Sequence, residues 1–146
     1  MKQFFIDEAL WEARKALLMG EVPVGAVIVR HNEIISRGFN MKETYKEATA
    51  HAEIIAIKEA SKLLNNWRLT DCEMYVTLEP CAMCASAIAQ ARISKLYIGT
   101  FDPNAGACGS VLNVIENSSM HYKTQVNWMY NTECSSILKE FFKTRR

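Results

Sequence analysis

The spacing of apolar residues along the chain changes several times between a helical and a strand-like period. The segment EALWEARKALLMG carries small and apolar residues at helical spacing and ends at Gly20, which predicts a first helix. Its predicted inner face comprises Ala9, Ala13, Ala16 and Leu17. The β-branched run VGAVIV, the polar break RHNE and the run IISRGFN predict two short strands joined by a tight turn.

The same alternation continues through the rest of the chain. AEIIAIKEASKLL predicts a second helix, with an apolar face made by Ile54, Ile57, Ala60, Ser61 and Leu64. CEMYVTLE and KLYIGT predict strands around a third helix in PCAMCASAIAQARI, with Pro80 in its first turn. TQVNWMY predicts a last strand, and TECSSILKEFFKTRR a last helix capped by Thr132. Such alternation predicts an α/β fold, a three-layer α/β/α sandwich with helices on both sides of a mostly five-stranded sheet.

Composition narrows the class of protein. A chain of 146 residues, with 49% hydrophobic and 23% charged residues, is typical of one globular domain, here expected to span 1–146. No apolar run approaches the roughly 20 residues of a membrane-spanning helix. The N-terminal segment mixes acids and an arginine into its apolar positions, unlike a secretory signal. We therefore expect a cytoplasmic protein that has no membrane partner.

Two short motifs place metal-binding residue types where predicted helices begin. TAHAEI contains His51 and Glu53, and TLEPCAMC contains Cys81 and Cys84, one helical turn apart. Five cysteines, an odd number, favour metal binding or catalysis over disulfides in a reducing compartment. Imidazole and two thiolates suit zinc, and three protein ligands leave a position for water, as in catalytic sites. We expect one zinc on the three ligands, with Glu53 as an unligated proton carrier.

This hypothesis makes a geometric demand and has a structural alternative. Residues two apart diverge by roughly 200° in a regular helix, so His51 and Glu53 face one ion only if the helix begins there. The alternatives are a redox pair in C-x-x-C, or a structural zinc closed by a fourth ligand. Candidates for that ligand are Cys72, Cys108, Cys134 and His121. For the three spare cysteines, packing as small apolar side chains is favoured.

The combination of motifs resembles a known family. H-x-E followed by P-C-x-x-C is the signature of zinc-dependent nucleobase deaminases. With VPVGAVIV, YVTLEPCAMC and DPNAGACGS, the chain resembles the bacterial tRNA adenosine deaminases from about Glu21 to the C-terminal FFKTRR. The resemblance implies a cytidine deaminase-like fold and a homodimer. It also implies hydrolytic deamination of the wobble adenosine to inosine in a tRNA anticodon stem-loop, with no DNA partner.

The resemblance further implies roles for single residues. The histidine and cysteines of the motifs would hold zinc, and Glu53 would protonate N1 of a flipped-out adenine and help to expel ammonia. Asn40 would hydrogen-bond the target base, Asp102 would contact the substrate nucleotides, and Val22 would line the base pocket. From the residues alone, Asn40 and Asp102 are better explained as turn residues.

The C-terminal segment combines aromatic and basic residues. Its apolar stripe consists of Ile137, Leu138, Phe141 and Phe142. Such a stripe is more typical of core packing than of a base-stacking platform. Aromatic rings beside Lys143, Arg145 and Arg146 nevertheless offer what a single-stranded RNA loop requires. A net charge of only +1 gives no global attraction to RNA, so contact would depend on such groups, including Lys42 and Lys46.

Two other functions remain compatible with the sequence. The first keeps the zinc chemistry but acts on a free base, most plausibly guanine, and it predicts ammonia release from guanine alone. The second is a zinc-stabilised RNA-binding module without catalysis, which requires a fourth protein ligand and does not depend on Glu53.

Overall fold

The computed structural model describes residues 1–117 and 121–145, and a five-stranded sheet lies at its centre. The strands are β1 (Gly25–Arg30), β2 (Glu33–Phe39), β3 (Cys72–Leu78), β4 (Lys95–Thr100) and β5 (Gln125–Trp128). The helices are α1 (Lys2–Leu18), α2 (Lys42–Tyr45), α3 (Ala52–Leu64), α4 (Ala82–Gln90) and α5 (Thr132–Thr144). None of the helices in the described part of the chain has the length and apolar character needed to cross a membrane.

The sheet is mixed, with the strand order β2-β1-β3-β4-β5. β1 runs antiparallel to β2 and β3, whereas β3, β4 and β5 are parallel to one another. Parallel neighbours need a crossover connection, and α4 supplies it between β3 and β4. The carboxyl ends of β3 and β4 therefore meet at one edge, where Leu78 pairs with Thr100.

Both faces of the central strands are buried, which confirms the predicted three-layer arrangement. Along β1, Ala26 and Ile28 belong to the core under α3 and α4, whereas Val27 and Val29 belong to the core under α1 and α5. Successive side chains of a strand point to opposite faces, so each central strand contributes to both cores. This double burial explains the nearly continuous apolar runs in the sequence.

The predicted apolar face of α3 was only partly right, since Ala60 is buried and Ile57 and Leu64 are partly buried against the core. The helix buries Ala52, Ala56 and Ala60, spaced by four, while Ile54 and Ile57 are only half-buried. The reason is the close approach of β2, because a Cβ atom at Gly38 would lie 2.3 Å from the backbone oxygen of Ala52. Only small side chains fit between a helix and a strand at that separation, so the larger isoleucines lie beside the contact.

Several predicted details at helix ends also differ. α1 begins at Lys2, earlier than predicted, because Phe5 and Ile6 extend its buried face, and Leu17 is exposed. The N-cap of α5 is Asn131, whose side chain accepts a hydrogen bond from the Cys134 amide, and Thr132 is already helical. Pro80 precedes α4 instead of lying in its first turn, since Cys81 is the N-cap. The short helix α2 was not predicted.

Candidate active site

Three side chains converge in the geometry of a metal site. His51 Nδ1 lies 3.7 Å from Cys81 Sγ and 3.6 Å from Cys84 Sγ, and the three ligand atoms lie within 4.8 Å of one another. Zinc–nitrogen and zinc–sulfur bonds of usual length at a tetrahedral angle separate nitrogen from sulfur by about 3.6 Å. The donor types and their spacing therefore fit one zinc ion held by His51, Cys81 and Cys84.

The starts of two helices produce this convergence. His51 is the N-cap of α3 and Cys81 is the N-cap of α4, and both have extended backbone conformations. Glu53 and Cys84 follow inside the first helical turns. Because His51 precedes the regular helix, the 200° divergence between residues two apart does not apply. His51 and Glu53 can therefore face one ion, as the hypothesis from the sequence requires.

Glu53 lies beside the three ligands and is only 4% exposed. In the metal-free chain, burial raises the pKa of Glu53 to about 7, and the charge of Cys81 acts in the same direction. A bound Zn²⁺ would oppose that rise through its positive charge. Glu53 is thus a buried carboxyl group beside the metal ligands, which is the position that general acid–base catalysis requires.

The two thiols of Cys81 and Cys84 shift each other's pKa in opposite directions. A hydrogen bond from Cys84 lowers the pKa of Cys81 to about 3, and the same contact raises the pKa of Cys84 well above its usual range. Helix N-termini also stabilise thiolates through their partial positive charge. Both sulfur atoms would bind zinc as thiolates.

The remaining cysteines do not extend this site. Cys72, Cys108 and Cys134 are buried in the apolar cores, and burial raises the pKa of each thiol. Among residues 1–117 and 121–145, the metal-binding group contains only the three ligands named above. His121 and the spare cysteines are not part of it, so these residues do not supply the fourth ligand of a structural zinc site. The spare cysteines pack as small apolar side chains, as predicted.

A cavity of 210 Å³ opens onto two of the metal ligands, His51 and Cys81, and onto Glu53. The three residues expected from the family resemblance to touch substrate all line it: Val22, Asn40 and Asp102. They come from the segment before β1, the end of β2 and the loop after β4, which are distant in sequence. Lys42 also lines this cavity and places a positive charge at it.

Asn40 is buried and held at both ends of its amide. Its Oδ1 accepts a hydrogen bond from the Lys42 amide at 3.1 Å, and its Nδ2 donates to the Val22 carbonyl at 3.2 Å. These partners fix which end of the amide is oxygen. Each end keeps capacity for one further hydrogen bond, so the turn role and a role toward a base are compatible.

Asp102 forms a turn as well as a cavity wall. Its Oδ1 accepts hydrogen bonds from the amides of Asn104 and Ala105 at 2.9 and 3.2 Å. This is the Asx-turn geometry that Asp followed by Pro favours. Asp102 lines the 210 Å³ cavity and also a second cavity beside it. The turn therefore fixes where this residue lies at the cavity wall.

A second cavity, of 800 Å³, adjoins the first one. The two share Val22, Leu78 and Asp102. Helix α5 contributes Leu138, Lys139, Phe142 and Lys143 to the lining of this second cavity, and the loop after β4 contributes Phe101 and Asn104. Phe101 and Lys139 were missed by the sequence analysis, although Phe101 stands directly before Asp102 at the carboxyl end of β4.

The apolar stripe of α5 has a buried part and an exposed part. Leu138 and Phe141 are buried in the protein, whereas Phe142 is 53% exposed and borders the larger cavity. Arg145 folds back onto the protein: its guanidinium lies 4.8 Å from the centre of the Phe141 ring, and its Nη2 lies 3.4 Å from the Gly20 carbonyl. Arg146 lies outside the described residues.

Comparison with known proteins agrees with this fold and site. Residues 1–100 match the cytidine and deoxycytidylate deaminase zinc-binding region. This match includes all three metal ligands and Glu53. The fold and the site are thus those of a zinc-dependent deaminase.

Individual relatives narrow this class. The chain is 44% identical over 145 residues to the tRNA-specific adenosine deaminase of Aquifex aeolicus, covering 99% of this chain and 96% of the relative. It is 41% identical to a structure from a study of A-to-I editing by tRNA:A34 deaminases at the wobble position, with a TM-score of 0.90 and coverage of 93% and 99%. Guanine deaminase of Bacillus subtilis is 30% identical, with a TM-score of 0.67 and coverage of 97% and 93%. The chain belongs to the tRNA-specific adenosine deaminase family.

Proposed function

We propose that this protein hydrolyses the wobble adenosine of a tRNA anticodon loop to inosine and ammonia. The single observation that carries the proposal is the 210 Å³ cavity, in which buried Glu53 and Asn40 share one space with His51 and Cys81 of the three-ligand metal site. The names of the relatives, which are 41–44% identical over nearly the whole chain, support the same reaction.

The residues of the cavity divide the chemistry among them. When bound, zinc supplies a water activated at neutral pH for addition at C6 of adenine. Glu53 takes a proton from that water and delivers it to ring nitrogen N1. Glu53 then carries the second proton to the exocyclic amine, which leaves as ammonia. The net change is the replacement of the amino group by oxygen at the expense of one water.

Asn40 and Val22 orient the base. The Asn40 amide is already fixed by the Lys42 amide and the Val22 carbonyl, so little further ordering is needed when it binds a base edge. Val22 supplies an apolar wall on which a flipped-out base can pack. Asp102 stands where the two cavities join, and we infer that it contacts the target nucleotide or its neighbour.

The larger cavity suits the nucleotides beside the target. A single-stranded loop binds to proteins through stacking on aromatic rings and through cations near its phosphates. Phe101 and Phe142 offer exposed rings, and Lys139 and Lys143 offer the charges. This grouping provides local attraction to RNA although the net charge is only +1.

We also infer the setting in which the enzyme works. The 1–146 chain acts as one deaminase domain, in the cytoplasm, without a DNA or membrane partner. It forms a homodimer, in which the outer face of α4 is a suitable contact, because Ser86 and Ala87 are small and only half-buried.

Guanine is the competing substrate, since a guanine deaminase shares the fold at 30% identity. The purified zinc-loaded protein is incubated with an anticodon stem-loop RNA bearing adenosine at the wobble position and, separately, with guanine. Sequencing of the RNA is expected to read guanosine at that position, and ammonia is expected only from the RNA. Ammonia released from guanine alone would contradict the proposal.

A further inference from the structure

We propose that Glu79 is a positioning residue that holds the loop of residues 101–110, here called the substrate loop, against the segment carrying Cys81. The inference rests on the proposed function, because that loop supplies Asp102 and Phe101 to the two cavities. Glu79 lies between β3 and the first cysteine ligand, and the sequence analysis assigned it no role.

The Glu79 carboxylate accepts hydrogen bonds from both ends of the substrate loop. Its Oε1 accepts from the Asp102 amide at 2.9 Å and from the Ser110 hydroxyl. Its Oε2 accepts from the amides of Cys108 and Ser110 at 2.9 and 3.1 Å. Glu79 is only 2% exposed, and it also lines the 210 Å³ cavity, so its carboxylate lies between the substrate loop and the space that the base would fill. An ionised carboxylate, which accepts at both oxygens and donates at neither, suits all four donors.

The middle of the loop also lies against this carboxylate. A Cβ atom at Gly106 would lie 2.3 Å from both Cδ and Oε1 of Glu79. Any side chain at position 106 would overlap the Glu79 carboxylate, so this position requires glycine. The Gly106 amide donates to the Asp102 carbonyl at 3.1 Å, which carries the constraint to the residue that lines both cavities.

The same segment binds the loop through its backbone. The Pro80 carbonyl accepts a hydrogen bond from the Ala107 amide at 2.9 Å, and the Glu79 amide donates to the Thr100 carbonyl at 2.9 Å. Because Pro80 precedes Cys81 directly, the first cysteine ligand and the substrate loop are joined by contacts on both sides of Glu79. These contacts thus fix the position of Cys81 relative to Asp102 without a bound substrate.

Glu79→Gln is the most specific perturbation. The amide oxygen can still accept from Cys108 and Ser110, and the amide nitrogen can donate to the Ser110 hydroxyl. The Asp102 amide is then left facing another donor without an acceptor. Leaving one buried donor unsatisfied lowers the equilibrium constant for holding the substrate loop against residue 79 by a factor of roughly 5 to 150. We expect amide exchange in residues 101–110 to accelerate by up to that factor and the KM for the anticodon stem-loop to rise, with zinc content unchanged.

The test uses two measurements and a matched control. Steady-state kinetics on the stem-loop separates KM from kcat, and amide hydrogen exchange reports the protection of residues 101–110 with no need for turnover. Glu12→Gln is the control, because Glu12 is an equally buried glutamate that binds Lys15 and Arg37 away from the cavities. It is expected to leave KM and loop exchange at the wild-type values.

The outcomes separate the two proposals. A raised KM and faster exchange at Asp102 in Glu79→Gln, but not in Glu12→Gln, support the positioning role, whereas unchanged KM and exchange overturn it. If Glu79→Gln fails to fold or to bind zinc, Gly106→Ala decides, since its methyl group forces the substrate loop and the Glu79 carboxylate apart while it keeps every donor and acceptor. The role is wrong if that variant keeps wild-type KM and exchange. If the wild type makes no inosine, the proposed function fails and the exchange measurement alone decides the role of Glu79.

Discussion

Glu53 owes its proposed role to burial beside the metal ligands without being one of them. A histidine and two cysteines complete the ligand group among the described residues, so this carboxylate is free to carry protons. Its surroundings in the 210 Å³ cavity, close to Asn40 and Val22, place it next to the space that a base would fill. The proposed proton transfer therefore depends on this one side chain.

We predict that Glu53→Ala retains zinc and loses nearly all turnover. General acid–base catalysis by a placed side chain contributes roughly 10²- to 10⁴-fold in rate, and kcat on the stem-loop should fall by that factor. Zinc content is measured by atomic emission on the same sample. Comparable activity in this variant would remove the proton-carrying role, and loss of zinc would make Glu53 a ligand instead.

The residues of the site were predictable to different degrees. His51, Glu53, Cys81 and Cys84 form two short motifs of fixed spacing, which the sequence displays directly. Glu21 and Glu79 escaped notice, because their partners are mostly backbone amides of segments distant in sequence, and such amides leave no pattern of residue types.

At the scale of elements, the metal site depends on where α3 and α4 begin. His51 and Cys81 are N-caps, and neither uses its side chain to cap its own helix, which leaves both side chains for the metal. The bounds of α3 and β4 were predicted correctly from apolar periodicity. The inner face of α3 was predicted only in part, because its packing is dictated by how closely β2 approaches at Gly38.

We predict that His51→Ala weakens zinc retention and lowers the free energy of unfolding together. The ligand joins the start of α3 to the start of α4 through the metal, and binding a metal only in the folded state stabilises that state. Zinc content and urea unfolding are measured in parallel. Zinc content equal to the wild type would remove His51 from the site.

Glu21 anchors the short helix α2 and gives a pH-dependent prediction. Burial alone raises its pKa, but hydrogen bonds from the Thr44 hydroxyl and from the amides of Thr44 and Glu43 hold the pKa below the ordinary 4.5. With the folded pKa depressed, the unfolded state binds more protons between the two values. The stabilisation is therefore present above the ordinary pKa and is lost as the pH falls through the folded one.

For the variant Glu21→Gln, we expect a lower free energy of unfolding than the wild type near neutrality. The difference should shrink as the pH falls below 4.5. Urea unfolding of both proteins over a pH series measures this difference. Subtracting one free energy of unfolding from the other removes the effect of acid on zinc binding, which both proteins share. A difference that stays constant or grows on acidification would contradict the assignment.

At the scale of the whole molecule, the sheet brings the parts of the site together. The carboxyl ends of β3 and β4 meet at the edge where Glu79, Cys81 and Asp102 follow. The α/β/α layering was predictable from the alternation of strands and helices. The register that sets Leu78 opposite Thr100 was not, because strand pairing depends on contacts between distant segments.

We predict that removing zinc destabilises the entire fold. If free zinc exceeds its dissociation constant by a factor of about 1,000, binding contributes about 4 kcal/mol, which corresponds to about 10 °C in Tm for a chain of this size. Calorimetry before and after treatment with a chelator measures the shift, and added zinc should restore it. A Tm that is unaffected by chelation would mean that the cluster does not hold a metal in the folded protein.

The central claim is that zinc has three protein ligands and keeps one position for water beside Glu53. X-ray absorption spectroscopy of the zinc-loaded protein tests it most directly. We predict two sulfur neighbours at about 2.3 Å and two lighter ones at about 2.0 Å, one of them histidine nitrogen and the other water oxygen. A shell of four protein ligands, with three or more sulfur atoms, would contradict the claim.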